Sequence, residues 1–265
     1  MTHNLLDAFE IQQNRHELIS LIGAGGKTTT MFALAQALKS LRKRVLVTTT
    51  TNIFYPAQDE CDSVIVHEAP GPDLFHAPPG GTVTVLGGTV VNKRKLAGVD
   101  KGYVEKLHRE GLFDCILVEC DGSKRKPIKA AAHYEPVVPD NTTRAIGVIG
   151  LDAVGQPIDE EHVHRAELFS SIVGRGLGEL LDVQAVVELI ASPQGLFKGV
   201  PETSPRYVLL NKADTSERRD CASAITEGLL QKRGAKLERC VTGALTTGTI
   251  CGYTSFGFNK PGVSA

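Results

Sequence analysis

An apolar run, Leu18 to Ile22, leads directly into Gly23-Ala24-Gly25-Gly26-Lys27-Thr28-Thr29, and a helical pattern begins at once. From Lys27 to about Leu41, the residues Met31, Leu34, Ala35 and Leu38 recur on one helical face. Strand, glycine-rich turn and helix in that order form the setting a phosphate-binding loop requires. Glycines let the backbone turn tightly and aim several N–H groups at one anion. The helix N-terminus adds about half a positive charge. In this reading residues Gly23, Ala24, Gly25, Gly26, Lys27, Thr28 and Thr29 surround the phosphates. Lys27 reaches the β- and γ-phosphates, and the Thr28 hydroxyl ligates Mg2+. The strand Val45-Leu46-Val47 then completes a βαβ unit.

The loop is short. The pattern G-x-x-x-x-G-K-[ST] requires glycine six residues before the lysine, where this chain has Leu21; its glycine, Gly23, lies four before. This shorter form resembles the loop of the Mur peptide ligases. Apolar runs recur at Cys115 to Glu119, Ala145 to Leu151, Tyr207 to Leu210 and near Leu237 to Val241, between helical stretches. That rhythm predicts a three-layer α/β fold of P-loop NTPase type with a mostly parallel sheet. Residues 53–113, with Pro56, Pro70, Pro72, Pro78 and Pro79, interrupt it and read as a β-rich insertion. Within the insertion, Thr82 to Leu86 and Thr89 to Val91 flank Gly87-Gly88 as a hairpin. The expected organisation is one domain over 1–242 and a loosely packed tail over 243–265.

Composition excludes several functions. The 265 residues carry 29 basic and 30 acidic side chains, so no global field draws the chain to nucleic acid or to an anionic membrane. Trp is absent and aromatics are 5%, too few for a single-strand stacking surface. No apolar run approaches the ~20 residues of a membrane span, and the first residues lack a signal-peptide pattern. The cysteines Cys61, Cys115, Cys120, Cys221, Cys240 and Cys251 form no CxxC pair and read as reduced thiols, so a cytoplasmic location is expected.

Other motifs complete a nucleotide site. Cys115 to Gly122 reads as a Walker B element, a buried strand ending in Glu119 and Asp121. These acids hold Mg2+ directly or through water, or orient an attacking water. Asn211-Lys212-Ala213-Asp214 follows a strand and matches the N-K-x-D element of GTPases, in which an Asp accepts two hydrogen bonds from guanine. Val241-Thr242-Gly243-Ala244 resembles the last base-contact loop of those enzymes. Thr48 to Thr51 end the second strand, and Thr49 or Thr50 puts a hydroxyl near the metal. Lys124-Arg125-Lys126, with Lys129, follows the acids directly and reads either as solvated surface or as a clamp for an anionic second substrate. Lys93-Arg94-Lys95 poses the same choice. His162 and His164, beside Glu160 and Glu161, form half a metal set with no partner cluster, in a segment Asp159 to Gly174 that reads as an amphipathic helix. Arg165 and Asp152 are further candidates for ligand contact.

Taken in order, Leu21 to Thr30, Val45 to Thr51, Leu117 to Lys124, Gly150 to Ala153, Val163 to Arg165, Gly195 to Lys198 and Leu210 to Asp214 resemble the YqeC family. Where that family carries Glu-Ala-Asp, this chain has Glu119-Cys120-Asp121, which keeps both acids. The resemblance implies a part in maturing selenium-dependent molybdenum hydroxylases of the xanthine dehydrogenase type. A partner hydroxylase, a molybdopterin or a selenium species would then be engaged. The combined expectation is Mg2+-dependent binding of GTP or ATP, GTP favoured, with Lys27, Glu119, Asp121 and Lys124 in catalytic roles. Thr28, Thr49, Glu119 and Asp121 are the expected metal ligands, and Asn211, Lys212 and Asp214 serve the base. A kinase or Mur-like ligase acting on a small anion is the alternative, and a regulator without turnover a third.

Overall fold

The computed structural model describes residues 4–67, 77–92, 94–232 and 236–257. The chain begins with α1 (Leu5–Ala8), β1 (Glu17–Gly23), α2 (Lys27–Ser40) and β2 (Arg44–Thr49). It continues through β3 (Asn52–Phe54), β4 (Ser63–Val66), β5 (Thr82–Gly87), β6 (Val90–Val91), β7 (Lys95–Ala97) and α3 (Lys101–Glu110). Next come β8 (Cys115–Glu119), β9 (Ile128–Lys129), β10 (Arg144–Gly150), β11 (Val163–His164), α4 (Ala166–Val173) and α5 (Val183–Ala191). The chain closes with β12 (Arg206–Asn211), α6 (Ser216–Gln231), β13 (Arg239–Ala244) and β14 (Thr249–Ser255).

Nine strands form the central sheet in the order β14-β13-β12-β10-β1-β8-β2-β5-β4, all parallel except the edge strand β14. β1 is buried along its whole length, which is why apolar residues stand on both of its faces, with only Ser20 and the opening Glu17 polar, rather than on one face alone. Its side chains divide by the two-residue period of a strand. Leu18 and Ile22 enter the core built with α3, α4, α5 and α6, while Ile19 and Leu21 enter the core built with α1 and α2. On α2, Met31, Leu34, Ala35 and Leu38 are buried as their spacing requires. The expected three layers are therefore present.

The insertion differs from its sequence reading. β4 and β5 belong to the central sheet, β5 pairing parallel with β2 from Arg44↔Thr82 to Val47↔Val85. The expected hairpin across Gly87-Gly88 does not form. Gly87 packs against Leu96, and the chain leaves the sheet there, so that β6 pairs with β7 instead. β3, β7 and β6 make a small separate sheet. Pro70, Pro72 and Lys93 lie outside the described residues. The domain also extends beyond residue 242. β14 hydrogen-bonds antiparallel to β13, with Ile250 buried, so 249–255 is an edge strand rather than a loose tail. The part of that tail at 258–265 lies outside the described residues. Asp159 to Gly174 is not one helix: α4 starts at Ala166, preceded by β11, which pairs with β9. The described cysteines are all free thiols. Among the described residues no helix is long and apolar enough to cross a membrane.

Candidate functional site

The chain runs from β1 to β2 on one side, β8 fills the gap between them, and β10 and β12 lie on the other side. The carboxyl ends of β1 and β8 thus flank a topological switch point, where open α/β sheets bind ligands. The loop at this point needs glycine for reasons of space as well as conformation. At Gly25 (φ +87°) a side-chain carbon would stand 2.1 Å from the Gly150 amide nitrogen; at Gly23 (φ +90°) it would stand 2.4 Å from the Val148 carbonyl oxygen. Leu196, from a stretch that resembles the YqeC family, packs beneath the loop against Gly23 and Gly147.

The first two residues of the loop are not ligand donors. The Gly23 amide donates to Asp121 Oδ2 at 3.1 Å and the Ala24 amide to Val148 O at 2.8 Å, so both are engaged inside the protein. The N-terminus of α2 takes their place. Gly26 caps it without a side-chain hydrogen bond, and the amides of Lys27, Thr28 and Thr29 have no carbonyl within the helix to donate to.

Lys27 is buried, donates to Gly23 O at 2.7 Å, and lies 3.2 Å from Asp121 Oδ1 and 3.6 Å from Glu119 Oε1. Burial alone would pull its pKa down, but the two carboxylates outweigh burial and hold it above the ordinary lysine value. Glu119 is pushed the other way. Burial raises its carboxyl above the usual range despite Lys27 and the hydrogen bond from Thr28.

Thr28 Oγ1 donates to Glu119 Oε2 at 2.8 Å at the edge of the cavity that both residues line. These are hard oxygen donors. Mg2+ is characteristically held by one or two carboxylates, with waters and substrate phosphates filling its other positions. The pair fits that ion. No group of three or more His, Cys, Asp or Glu able to hold a metal occurs among the described residues. The His162 half-set accordingly serves otherwise: His162 Nδ1 is 2.7 Å from Asp159 Oδ1.

Two expected metal ligands are occupied elsewhere. Thr49 Oγ1 donates to the Glu119 backbone carbonyl at 2.8 Å and accepts from the Thr51 amide at 3.0 Å, so it fastens two strand ends. Asp121 does not line the cavity; it takes the Gly23 amide, Lys27 and, at 3.0 Å, Lys129. It anchors the loop from within.

The N-K-x-D residues divide in the same way. Asn211 is buried, donates Nδ2–H to Gly25 O at 2.9 Å and accepts from the Leu245 amide at 3.1 Å, bracing the phosphate loop against the chain after β13. Lys212 has φ +65°, lines the cavity, and pairs with Asp152 Oδ2 at 2.6 Å. Asp214 is exposed beyond β12 and pairs with Arg218 at 3.4 Å. Val241-Thr242-Gly243-Ala244 lies within β13 rather than in a loop.

The cavity measures about 930 Å3 and reaches well past the loop. Its far wall brings in residues that sequence reasoning did not single out: Phe54, Tyr134 and Glu135. Glu135 has no sequence signal at all, whereas Phe54 stands three residues after the threonine run. Lys124 and Arg125 line this wall, as does Lys126, which donates to the Glu161 carbonyl. Glu135 accepts from Lys129 at 2.7 Å and Arg165 at 2.8 Å, and these cations hold its carboxyl below the usual range against the effect of burial. His164 lines the same wall; burial, then Arg165, Lys129 and Lys124, push its pKa down to about 4.

A phosphate-type loop at the carboxyl ends of a mostly parallel, helix-covered sheet defines a P-loop α/β protein. Comparison with known proteins narrows the class. The family described as YqeC protein matches residues 19–167. An uncharacterized protein, YqeC, of Escherichia coli (strain K12) is 33% identical over 220 residues, which are 83% of this chain and 85% of that one. The chain belongs to the YqeC family. Two crystal structures of FtsY from Mycoplasma mycoides are similar at 14% and 15% identity, over 89% and 88% of this chain, with TM-scores of 0.39 and 0.40. The chain spans 66% and 62% of their lengths.

Proposed function

We propose that this protein binds a Mg2+-complexed nucleoside triphosphate, GTP in preference to ATP, and transfers its γ-phosphoryl group to water. The observation that carries the reading is the 2.8 Å hydrogen bond from Thr28 to Glu119 at the opening of α2, with Lys27 buried beside it. Thr28 and Glu119 are the donors that would hold the ion, and Lys27 would exchange its carboxylate partners for phosphate oxygens. Bound there, Mg2+ would neutralise charge on the β- and γ-phosphates. The left-handed Lys212 at the cavity and the exposed Asp214 beyond it support a base contact on the β12 side.

Family membership extends the proposal to a maturation step for selenium-dependent molybdenum hydroxylases, with a hydroxylase, a molybdopterin or a selenium species as partner. Transfer to a small anionic substrate is the second reading, and the basic far wall of the cavity favours it.

The test is equilibrium binding of fluorescent GTP and ATP analogues with and without Mg2+, followed by phosphate release. Lys27→Ala is expected to abolish binding. A tenfold GTP preference corresponds to about 1.4 kcal/mol, and Asp214→Ala is expected to erase it. Equal affinity for both nucleotides in the wild type overturns the guanine assignment, and silence of Lys27→Ala overturns the whole reading.

A further inference from the structure

We propose that the half of the cavity on the β2 side of the phosphate loop is a subsite for a second substrate, a planar molecule carrying an anionic group. This deepens the nucleotide reading and rests on it only for the identity of the neighbouring ligand.

The first observation is unmatched charge. Lys95, Lys124 and Arg125 line the cavity and make no hydrogen bond or ion pair to another side chain among the described residues. The carboxylates lining the cavity are engaged elsewhere. Glu119 takes Thr28 and Lys27, Glu135 takes Lys129 and Arg165, and Glu160 accepts from the Ala166 amide at 2.8 Å. Among the described residues the cations Lys95, Lys124 and Arg125 outnumber the one cavity carboxylate without a cationic partner, the exposed Glu160, so this wall carries net positive charge.

The second observation is an aromatic surface within that charge. Phe54 is 41% exposed, with Lys95 Nζ 5.0 Å and the Arg125 guanidinium 4.5 Å from its ring centroid. Tyr134, 62% exposed, lines the same wall with Arg165 over its ring at 5.9 Å. Cations stand over both rings, so the exposed parts of Phe54 and Tyr134 offer apolar contact to a planar ligand while the cations meet its negative substituent.

The third is backbone strain. Among the described residues seven non-glycine positions have positive φ, and three of them are cations on this side of the cavity: Lys124 (+48°), Arg125 (+64°) and Arg165 (+66°). Such conformations are strained for side chains other than glycine and cluster at ligand clamps.

Topology separates this half from the base. Lys212 to Asp214 follow β12, two strands from β1 on one side, whereas Phe54 follows β2, two strands away on the other. A volume of about 930 Å3 lies near the top of the ~300–1,000 Å3 range for small-molecule sites, roomy enough for a second ligand.

The probe is 1-naphthyl phosphate, followed by fluorescence on protein saturated with Mg2+ and a non-hydrolysable GTP analogue. The expected result is binding to the loaded protein, with at least tenfold weaker binding of 2-naphthol and of inorganic phosphate. Phe54→Ala and Lys124→Ala, on separate segments and checked for folding by circular dichroism, are expected to weaken the probe; a tenfold loss in either supports the subsite. The proposal is overturned if the nucleotide binds and the probe does not, if the nucleotide displaces the probe, if inorganic phosphate binds as well as the probe, or if neither variant weakens it. Probe binding in a protein that binds no nucleotide leaves the subsite standing and removes the nucleotide reading instead. Failure of both ligands overturns both.

Discussion

Asp121 lies between two buried lysines, with Oδ1 3.2 Å from Lys27 and Oδ2 3.0 Å from Lys129. Lys129 in turn meets Glu135 at 2.7 Å, and Glu135 meets Arg165 at 2.8 Å. A line of alternating charges thus runs from the phosphate loop to the far wall of the cavity. Removing one partner of a buried pair leaves an uncompensated charge and costs about 3–5 kcal/mol. Asp121→Asn is therefore expected to lower unfolding free energy by about that much in urea titrations. A variant of wild-type stability with lost nucleotide binding would show that Asp121 serves the ligand rather than the loop.

Glu119 should behave differently. Its carboxyl is held above the ordinary range by burial, so the ionised form costs stability above the folded-state pKa, and that cost vanishes as pH falls through the unfolded value. Glu119→Gln is expected to cost less thermal stability at pH 7 than Asp121→Asn, because relief of the buried carboxylate offsets the partner lost to Lys27, which keeps Asp121, while the Mg2+-dependent part of nucleotide affinity is lost. A stability loss as large as that of Asp121→Asn would contradict this assignment.

The same shift sets a pH dependence for binding. A proton on Glu119 competes with a metal ion, and a raised pKa makes it compete at higher pH than an ordinary carboxylate would. Nucleotide affinity in Mg2+ is expected to fall on acidification from above the usual glutamate range, and the fall should be shallower in Glu119→Gln, where protonation of the nucleotide's terminal phosphate remains. The measurement is a titration series between about pH 4 and 8 at fixed Mg2+. Parallel curves for the two proteins would remove Glu119 from the metal site.

The sequence was most legible where one residue type is dictated by space or period. The loop glycines, the α2 stripe and the buried strands are such places, and each stands where its pattern put it. Legibility failed where a partner is remote in sequence. Thr82 to Leu86 looked like one arm of a hairpin because its true partner, β2, lies some 38 residues earlier. Apart from the buried Ile250, β14 alternates exposed and half-buried residues at a sheet edge, so its composition resembles a tail. Thr49 and Asp121 looked like ligands by residue type, yet their hydrogen bonds hold strand ends and loop together. Phe54 and Tyr134 meet in one cavity only through folding.

A fourth expectation concerns the opposite end of the sheet, away from the site. Arg44 at the start of β2 makes two hydrogen bonds to Asp114, at 3.1 and 2.8 Å, and its amide a third at 2.8 Å. The Arg44 side chain, with smaller help from its backbone amide, draws the Asp114 carboxyl down to about 2. An acid with a depressed folded-state pKa contributes stability that is fully present above the unfolded value near 3.9 and is lost as pH falls through the folded one. Both side chains are about a quarter exposed. Solvent screening therefore reduces the contribution, and Asp114→Asn is expected to cost about 1–2 kcal/mol at pH 7. The difference between variant and wild type should hold from pH 7 to about 4 and close between about 4 and 2, followed by urea unfolding at each pH. At pH 7 the nucleotide affinity of Asp114→Asn should equal that of the wild type, because this pair braces the amino ends of the strands whose carboxyl ends carry the site. A difference that persisted at pH 2 would trace the loss to packing rather than to the ion pair.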